Sequence, residues 1–451
     1  MWPDVKRIAS LAWPVLIGQV AAIAFGVMDT AMVGRFSAFD LASLALGGSI
    51  YITVYVGLMG VLVALSPIAA QLFGAGRQDE IGEAVRQALW LALALAIPGC
   101  ALLLHPQFIL RLSEASPELE ARASAYLRIL ALGLPAALLF RVYSSLSTAV
   151  ARPRIVMAIQ LTGLALKVPL NLALIYGGDI FGFHIAALGS SGCAIATTLI
   201  NWVSCSLGLL LMARHPFLKT FGVFRRFCWP RWHAIRALLK LGVPMGLSYL
   251  IEVTAFSFMA IFIARLGAET LAGHQIAANL SAFVYMLPMS IAIATATLTA
   301  QSIGSRDYTA AHRTGRHGIQ FAAMLAVGLA GIIWFARPLL VAMYTPNPAI
   351  VRIAAPLFAF TAFYHVFDAL QITAVFVLRA YKVAIVPTVI YALSLWGVGL
   401  GGGYVLGFNT FGVTPAALLG ASGFWFANSL SLAVAAAGLL AYLRWVTRQA
   451  Y

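Results

Sequence analysis

Tyr364, His365, Asp368 and Gln371 stand at i, i+1, i+4 and i+7 of one apolar run, so a helix carries them as a single polar stripe. A carboxylate beside a phenol and an amide supplies oxygen atoms that can replace part of the hydration shell of a hard cation such as Na⁺. Two more acids, Asp29 and Glu252, lie inside apolar runs, Glu252 in the middle of LGVPMGLSYLIEVTAFSFMAIFIAR, residues 241–265. A central ionisable group costs about 2.5 to 3.5 kcal/mol on translocon-type scales, so a helix that keeps one turns it toward a cavity or a partner. Glu252 becomes a second anionic oxygen donor if its helix meets that of Asp368; the alternative is a carboxylate paired for structure. His365 offers either a proton relay near neutral pH or a satisfied packing ring. Gln275 and Asn279 share a helix face behind His274 and read best as interhelical hydrogen-bonding groups, worth about 0.6 kcal/mol each. Lys167, in LALKVPLNLALIYG, is the only basic residue expected to be buried in a span, and it shares a face with Asn171.

The elements that must hold these groups are membrane helices. A chain of 451 residues with 62% hydrophobic and 10% charged residues and a mean hydropathy of +0.93 is excluded from the soluble globular class, which needs about a quarter of its residues charged. Spans of about 20 apolar residues cross the hydrocarbon layer. Twelve are expected, at 8–33, 43–71, 83–104, 119–142, 153–176 and 185–213, then 237–264, 270–303, 316–335, 350–378, 383–406 and 415–443. The fold class is therefore an all-α membrane protein, divided into an N-terminal six-helix lobe (1–213), a basic cytoplasmic linker (214–236) and a C-terminal six-helix lobe (237–451). A net charge of +15 points to nucleic acid in a soluble chain, but here the Lys and Arg residues lie mostly in loops, where they set topology. No nucleic-acid partner is implied. Arg35, Arg111, Arg122, Arg128, Arg265, Arg337 and Arg352 fall on one side and nearly all the rest on the other, which makes both termini cytoplasmic. Cys100, Cys193, Cys205 and Cys228 lack CxxC spacing and are expected as packing residues without a disulfide. The N-terminal apolar run is too long for a signal-peptide core, so the first helix is expected to remain.

The two halves repeat. At an offset of 230 residues, Leu11 and Pro14 match Leu241 and Pro244, Arg35 matches Arg265, and Ala70, Gln71 and Gly74 match Ala300, Gln301 and Gly304. Six helices per half return the chain to its starting side, so the repeats are parallel. The buried acids break this symmetry: Asp29 aligns with Met259, Glu252 with Ala22, and Asp368, at a local offset of 228, with Phe140. A scaffold role shared by both halves would occur in both, so the asymmetry favours function.

The motifs GVMDTAMVGR (26–35), VALSPIAAQLFGAGR (63–77), LGVPMGLSYLIEVTAFS (241–257), AGHQIAANLSAFVYMLPMS (272–290) and YHVFDALQ (364–371) with LRAYK (378–382) resemble the multidrug and toxic compound extrusion family, in its NorM-type bacterial branch. The resemblance covers nearly the whole chain. It implies two six-helix lobes around a central cavity in the inner membrane, acting as a monomer to export cationic or amphipathic drugs against inward flow of Na⁺ or H⁺, with no covalent cofactor. It also brings the seventh and tenth helices together, so that Glu252, Asp368 and Tyr364 hold the coupling cation with Tyr285 as a further contributor. Asp29, Lys167, Asn171, Gln275, Asn279 and Gln371 are then assigned to the substrate cavity or its supporting polar network. Relatives commonly carry asparagine where Lys167 stands, so Lys167 is a departure. Its expected partner is Asp29, within about 4 Å; the alternative is a lysine reaching an aqueous opening.

Other classes fit less well. A membrane enzyme needs a nucleophile or metal set, and neither HExxH nor GxSxG occurs. ATP drive is disfavoured by the lack of GxxxxGK[ST]. A lipid-linked precursor flippase of the same superfamily is the nearer alternative, but it would line its cavity with several cations, whereas a net acidic cavity is expected here.

Overall fold

The computed structural model describes residues 1–111, 116–180, 183–225 and 227–449; Arg226 of the basic linker lies outside them. Among the described residues, twelve helices are long and apolar enough to cross a membrane: α1 Trp2–Phe36, α2 Ala38–Gly74, α3 Gln78–Leu104, α4 Pro117–Ala149, α5 Pro153–Ile175, α6 Ser190–Arg214, α7 Trp232–Ala264, α8 Ala268–Gly304, α9 Tyr308–Tyr344, α10 Pro348–Ala380, α11 Ile385–Gly407 and α12 Ala421–Gln449. They match the expected spans one for one and are mostly longer. Helices of 35 to 37 residues are roughly 55 Å long against a hydrocarbon layer of about 30 Å, so their polar ends project. Capping decides those ends. The α9 helix starts eight residues before its expected span because the Asp307 carboxylate accepts from Ala310 N at 2.9 Å, and Asn347 accepts from Ala349 N ahead of Pro348 at the start of α10.

Two departures are local. The connection from α5 to α6, expected as a loop with the sixth span starting at 185, contains two short antiparallel paired strands, β1 Gly178–Ile180 and β2 Phe183–Ile185, and α6 begins at Ser190. The α2 helix is interrupted at Val63–Ala64, because Pro67 has no N–H to offer the Val63 carbonyl; Ser66 N takes it instead at 2.9 Å. Pro135, Pro169 and Pro288 sit in unbroken helices. In α11, residues Ala392–Gly401 wind as a π-helix.

The repeat reaches the backbone. At the end of α2, Ala75 N bonds Gln71 O, Gly76 N bonds Phe73 O and Arg77 N bonds Leu72 O; at the end of α8, Ser305 N, Arg306 N and Asp307 N bond Gln301 O, Ile303 O and Ser302 O. Every partner is 230 residues on. The left-handed residue that closes this cap is Gly76 in the first half (φ 70°) and Arg306 in the second (φ 61°).

The chain divides into two compact units, Met1–Leu16 with Leu247–Tyr451, and Ile17–Gly246. These limits differ from the lobe boundaries expected at 213 and 237. The first half of α1 belongs with the C-terminal unit: Ile8 and Ala12 pack against Ile291, Ala294, Leu298 and Ala322, and the Asp4 carboxylate meets Arg313 at 3.2 Å and His317 at 2.7 Å. The core of that unit gathers Met259, Ile263, Phe358, Phe424 and Trp425.

The basic linker belongs to the other unit and is strapped along α3. Arg86 donates to Gly222 O (2.8 Å) and Val223 O (3.1 Å), Trp90 Nε1 to Cys228 O (3.0 Å) and Gln87 Nε2 to Trp229 O (3.1 Å). Gly82 allows this approach, since a Cβ there would stand 1.9 Å from Phe221 O. Gly82→Ala is therefore expected to destabilise by about 1–3 kcal/mol, as overpacking does. Thermal unfolding of the purified protein checks this; an unchanged midpoint would show that the strap moves freely.

Candidate functional site

In the C-terminal unit, α10 holds the polar stripe. Asp368 is 1% exposed, and its Oδ1 accepts from Gln371 Nε2 at 3.0 Å. The Tyr391 hydroxyl, from α11, donates to Gln371 Oε1. Gln371 thus orients the carboxylate while α11 orients Gln371. Among the described residues, the other oxygen, Asp368 Oδ2, is buried without a hydrogen-bond partner, and so are both ring nitrogens of His365, whose Nδ1 lies 4.0 Å away. Glu252 on α7 is half-buried and within electrostatic reach of Tyr285 of α8 and of Asp368. Tyr364 feels both carboxylates, while its ring packs against Phe256 and Trp425. The structure therefore gathers Glu252, Tyr285, Tyr364, Asp368 and Gln371 from α7, α8 and α10. Gln275 and Asn279 are exposed on their own unit.

A residue that the spacing did not single out completes this cluster. Arg379 is 4% exposed, donates to the Tyr249 hydroxyl at 3.1 Å, lies over the Tyr249 and Phe376 rings and acts electrostatically on Glu252. The reading of Lys167 as the only buried basic residue in a span is thus corrected. The tenth span was expected to end at 378, which put Arg379 in a loop, but α10 runs to Ala380. The signal was present: eleven residues is three helical turns, so Arg379 continues the Asp368 stripe.

In the other unit, three helices converge on Asp29. Lys167 Nζ lies 2.7 Å from Asp29 Oδ2, and Asn171 Nδ2 donates to Oδ1 at 2.9 Å. Lys167 also donates to Thr197 Oγ1 at 2.8 Å, and the Cys193 thiol lies within electrostatic reach of Asp29. Lys167 and Asn171 are one turn apart on α5, Cys193 and Thr197 one turn apart on α6, so each helix presents a pair of groups. Lys167 is 1% exposed and Asn171 0%. The charge meets a partner rather than an aqueous opening.

Beside this pair is a cavity of about 230 Å³, lined by Tyr51, Tyr55, Arg141, Gln160, Lys167 and Asn201 among others. Its lining, all within this one unit, carries two cations and no carboxylate. The reason is local: Asp29 turns to Lys167, and Arg141, placed by the sequence at the end of its span, lies inside α4. Another acid outside the expected set is Asp40, 3% exposed, which accepts from Ser190 N (3.0 Å) and Ser190 Oγ (2.6 Å) at the start of α6. Its role is structural.

Twelve spans, a parallel repeat and unsymmetrical buried carboxylates define a membrane transporter. The MatE family model matches residues 14–173 and again 244–405, one copy per half and 230 residues apart, so the chain belongs to the MatE family. It is a NorM-type member. It is 39% identical over 429 residues to a probable multidrug resistance protein NorM of Aromatoleum aromaticum, covering 95% of this chain and 91% of that one. It is 36% identical to the multidrug resistance protein PmpM of Pseudomonas aeruginosa, covering 94% and 87%, and 35% identical to NorM of Vibrio parahaemolyticus, covering 99% and 96%. The fold matches the crystal structure of the eukaryotic MATE transporter AtDTX14 with a TM-score of 0.87 at 17% identity over 100% and 98% of the two chains. Membership makes the chain a transporter and not an enzyme.

Proposed function

We propose that this chain exports amphipathic and cationic drugs across the bacterial inner membrane as a monomeric secondary antiporter with both termini cytoplasmic, driven by inward flow of Na⁺ or H⁺. The observation that carries the coupling site is the buried Oδ2 of Asp368, unpartnered among the described residues, with Glu252 in electrostatic reach and the phenol oxygens of Tyr285 and Tyr364 around them. Such a donor set suits a hard cation. Glu252 lies near one guanidinium, Arg379, and within electrostatic reach of Asp368, so the cluster leaves one negative charge to balance, which a Na⁺ or a proton supplies, making the two ions competitors. The flippase reading is weaker. Of the two cations lining the cavity near Asp29, Lys167 is already ion-paired, and the relatives named above are multidrug resistance proteins.

Efflux of an ethidium-like cation from proteoliposomes, under a Na⁺ gradient alone and then a proton gradient alone, tests this. At least one gradient is expected to drive export, and the opposing ion added on both sides to slow it. Export that ignores both gradients would overturn the reading.

A further inference from the structure

One large cavity is not used by the proposed transport cycle. It measures about 700 Å³ and lies within the C-terminal unit, among the first turns of α9, the last turns of α10 and the last turns of α12. Arg316 of α9 and Arg444 and Arg448 of α12 line it with His312 and Gln320, and no carboxylate stands among its lining residues. Helical spacing aims these groups together. Residues 312, 316 and 320 are successive turns of one face of α9, and 444 and 448 are successive turns of one face of α12. All three arginines are exposed. Besides Thr447 and Tyr381, the rest of the wall is apolar, with Ile319, Val377, Leu440 and Leu443 continuing from the arginines.

The chemistry of this arrangement is amphiphilic and anion-seeking. A ring of guanidiniums binds phosphate oxygens bidentately. A free phosphate has no use for the aliphatic wall, whereas a phospholipid fills it with acyl chain. The three helix ends lie on the side where basic residues gather, which is the side that recruits anionic lipid. On the same end of α12, Tyr442 and Trp445 stack at 5.4 Å, with Trp445 half exposed, as aromatic residues do at the headgroup level.

We propose that this cavity is a binding site for an anionic phospholipid, phosphatidylglycerol or cardiolipin, with the headgroup phosphate held by Arg316, Arg444 and Arg448 and a chain laid along Ile319, Leu440 and Leu443.

The test uses the purified full-length protein in mild detergent, with native mass spectrometry to count retained lipid and thermal unfolding to read its effect. Phosphatidylglycerol or cardiolipin is expected to be retained and to raise the unfolding midpoint, more weakly in high salt; phosphatidylcholine and inorganic phosphate are expected to do neither. An arginine near an anionic headgroup is worth about fivefold, so the triple change Arg316→Gln, Arg444→Gln and Arg448→Gln is expected to weaken retention on the order of 100-fold. A control removing three linker cations, Arg214→Gln, Lys219→Gln and Arg236→Gln, is expected to leave it unchanged. Equal retention by the triple variant and wild type, equal loss in the control, or equal stabilisation by phosphatidylcholine would each overturn the site. Protection by inorganic phosphate alone would overturn the lipid as occupant.

Discussion

Gradient-driven export is expected to fall at least about 10-fold in Asp368→Asn and in Glu252→Gln, the scale on which even residues that only support a metal ligand act. Asp368 is the stronger case, because one of its oxygens is held by Gln371 and the other is buried and unpartnered. Asparagine keeps the shape and the bond to Gln371 but removes the charge that a monovalent ion needs. Glu252 contributes differently. It lies within electrostatic reach of Tyr285 and Arg379, so Glu252→Gln also leaves that guanidinium without its nearby anion. Both variants should insert in the membrane and bind drug in the absence of a gradient, since the apolar packing of α7 and α10 is untouched. Wild-type rates in both, under whichever gradient drives the parent protein, would place the coupling site elsewhere.

The second large effect concerns the ion pair in the other unit. Lys167 is 1% exposed and its Nζ is 2.7 Å from Asp29 Oδ2, so removing either charge alone strands the other in a low-dielectric interior. Lys167→Met or Asp29→Asn alone is expected to cost about 3–5 kcal/mol, the range for breaking a buried pair, while the double variant recovers most of it. Unfolding of the three variants in one detergent measures the cycle. Equal and additive losses would show that the pair is not coupled. The same geometry bears on transport. An ammonium fixed on Asp29 occupies the place of a mobile cation, so ion coupling is expected to depend on Glu252 and Asp368 rather than on Asp29. Lys167→Asn should accordingly alter the pH dependence of export, and an unchanged profile would separate the pair from the cycle.

Much of this was legible in the chain because the bilayer imposes strong rules on sequence. Span number followed from hydrocarbon thickness, and the parallel repeat from Pro, Arg, Gln and Gly in register, later mirrored by the caps at Gly76 and Arg306. The buried acids stood out because an ionisable group in a span is costly enough to need a reason. Helix ends were less legible, since capping by Asp307 and Asn347 extends helices through residues that hydropathy reads as loop. That shortfall hid Arg379 at the end of α10. What only the tertiary structure decided was which groups meet. Lys167 could equally have reached water by its spacing alone; the packing of α1, α5 and α6 turned it onto Asp29. Gln371 was one polar residue of a stripe until α11 brought Tyr391 to its carbonyl and left the far oxygen of Asp368 free. The first half of α1 joined the C-terminal unit because Ile8, Ala12 and Asp4 find their partners on α8 and α9. Local periodicity sets the face that a residue occupies on its own helix, but a contact 138 residues apart in the chain, such as Lys167 with Asp29, depends on how whole helices pack.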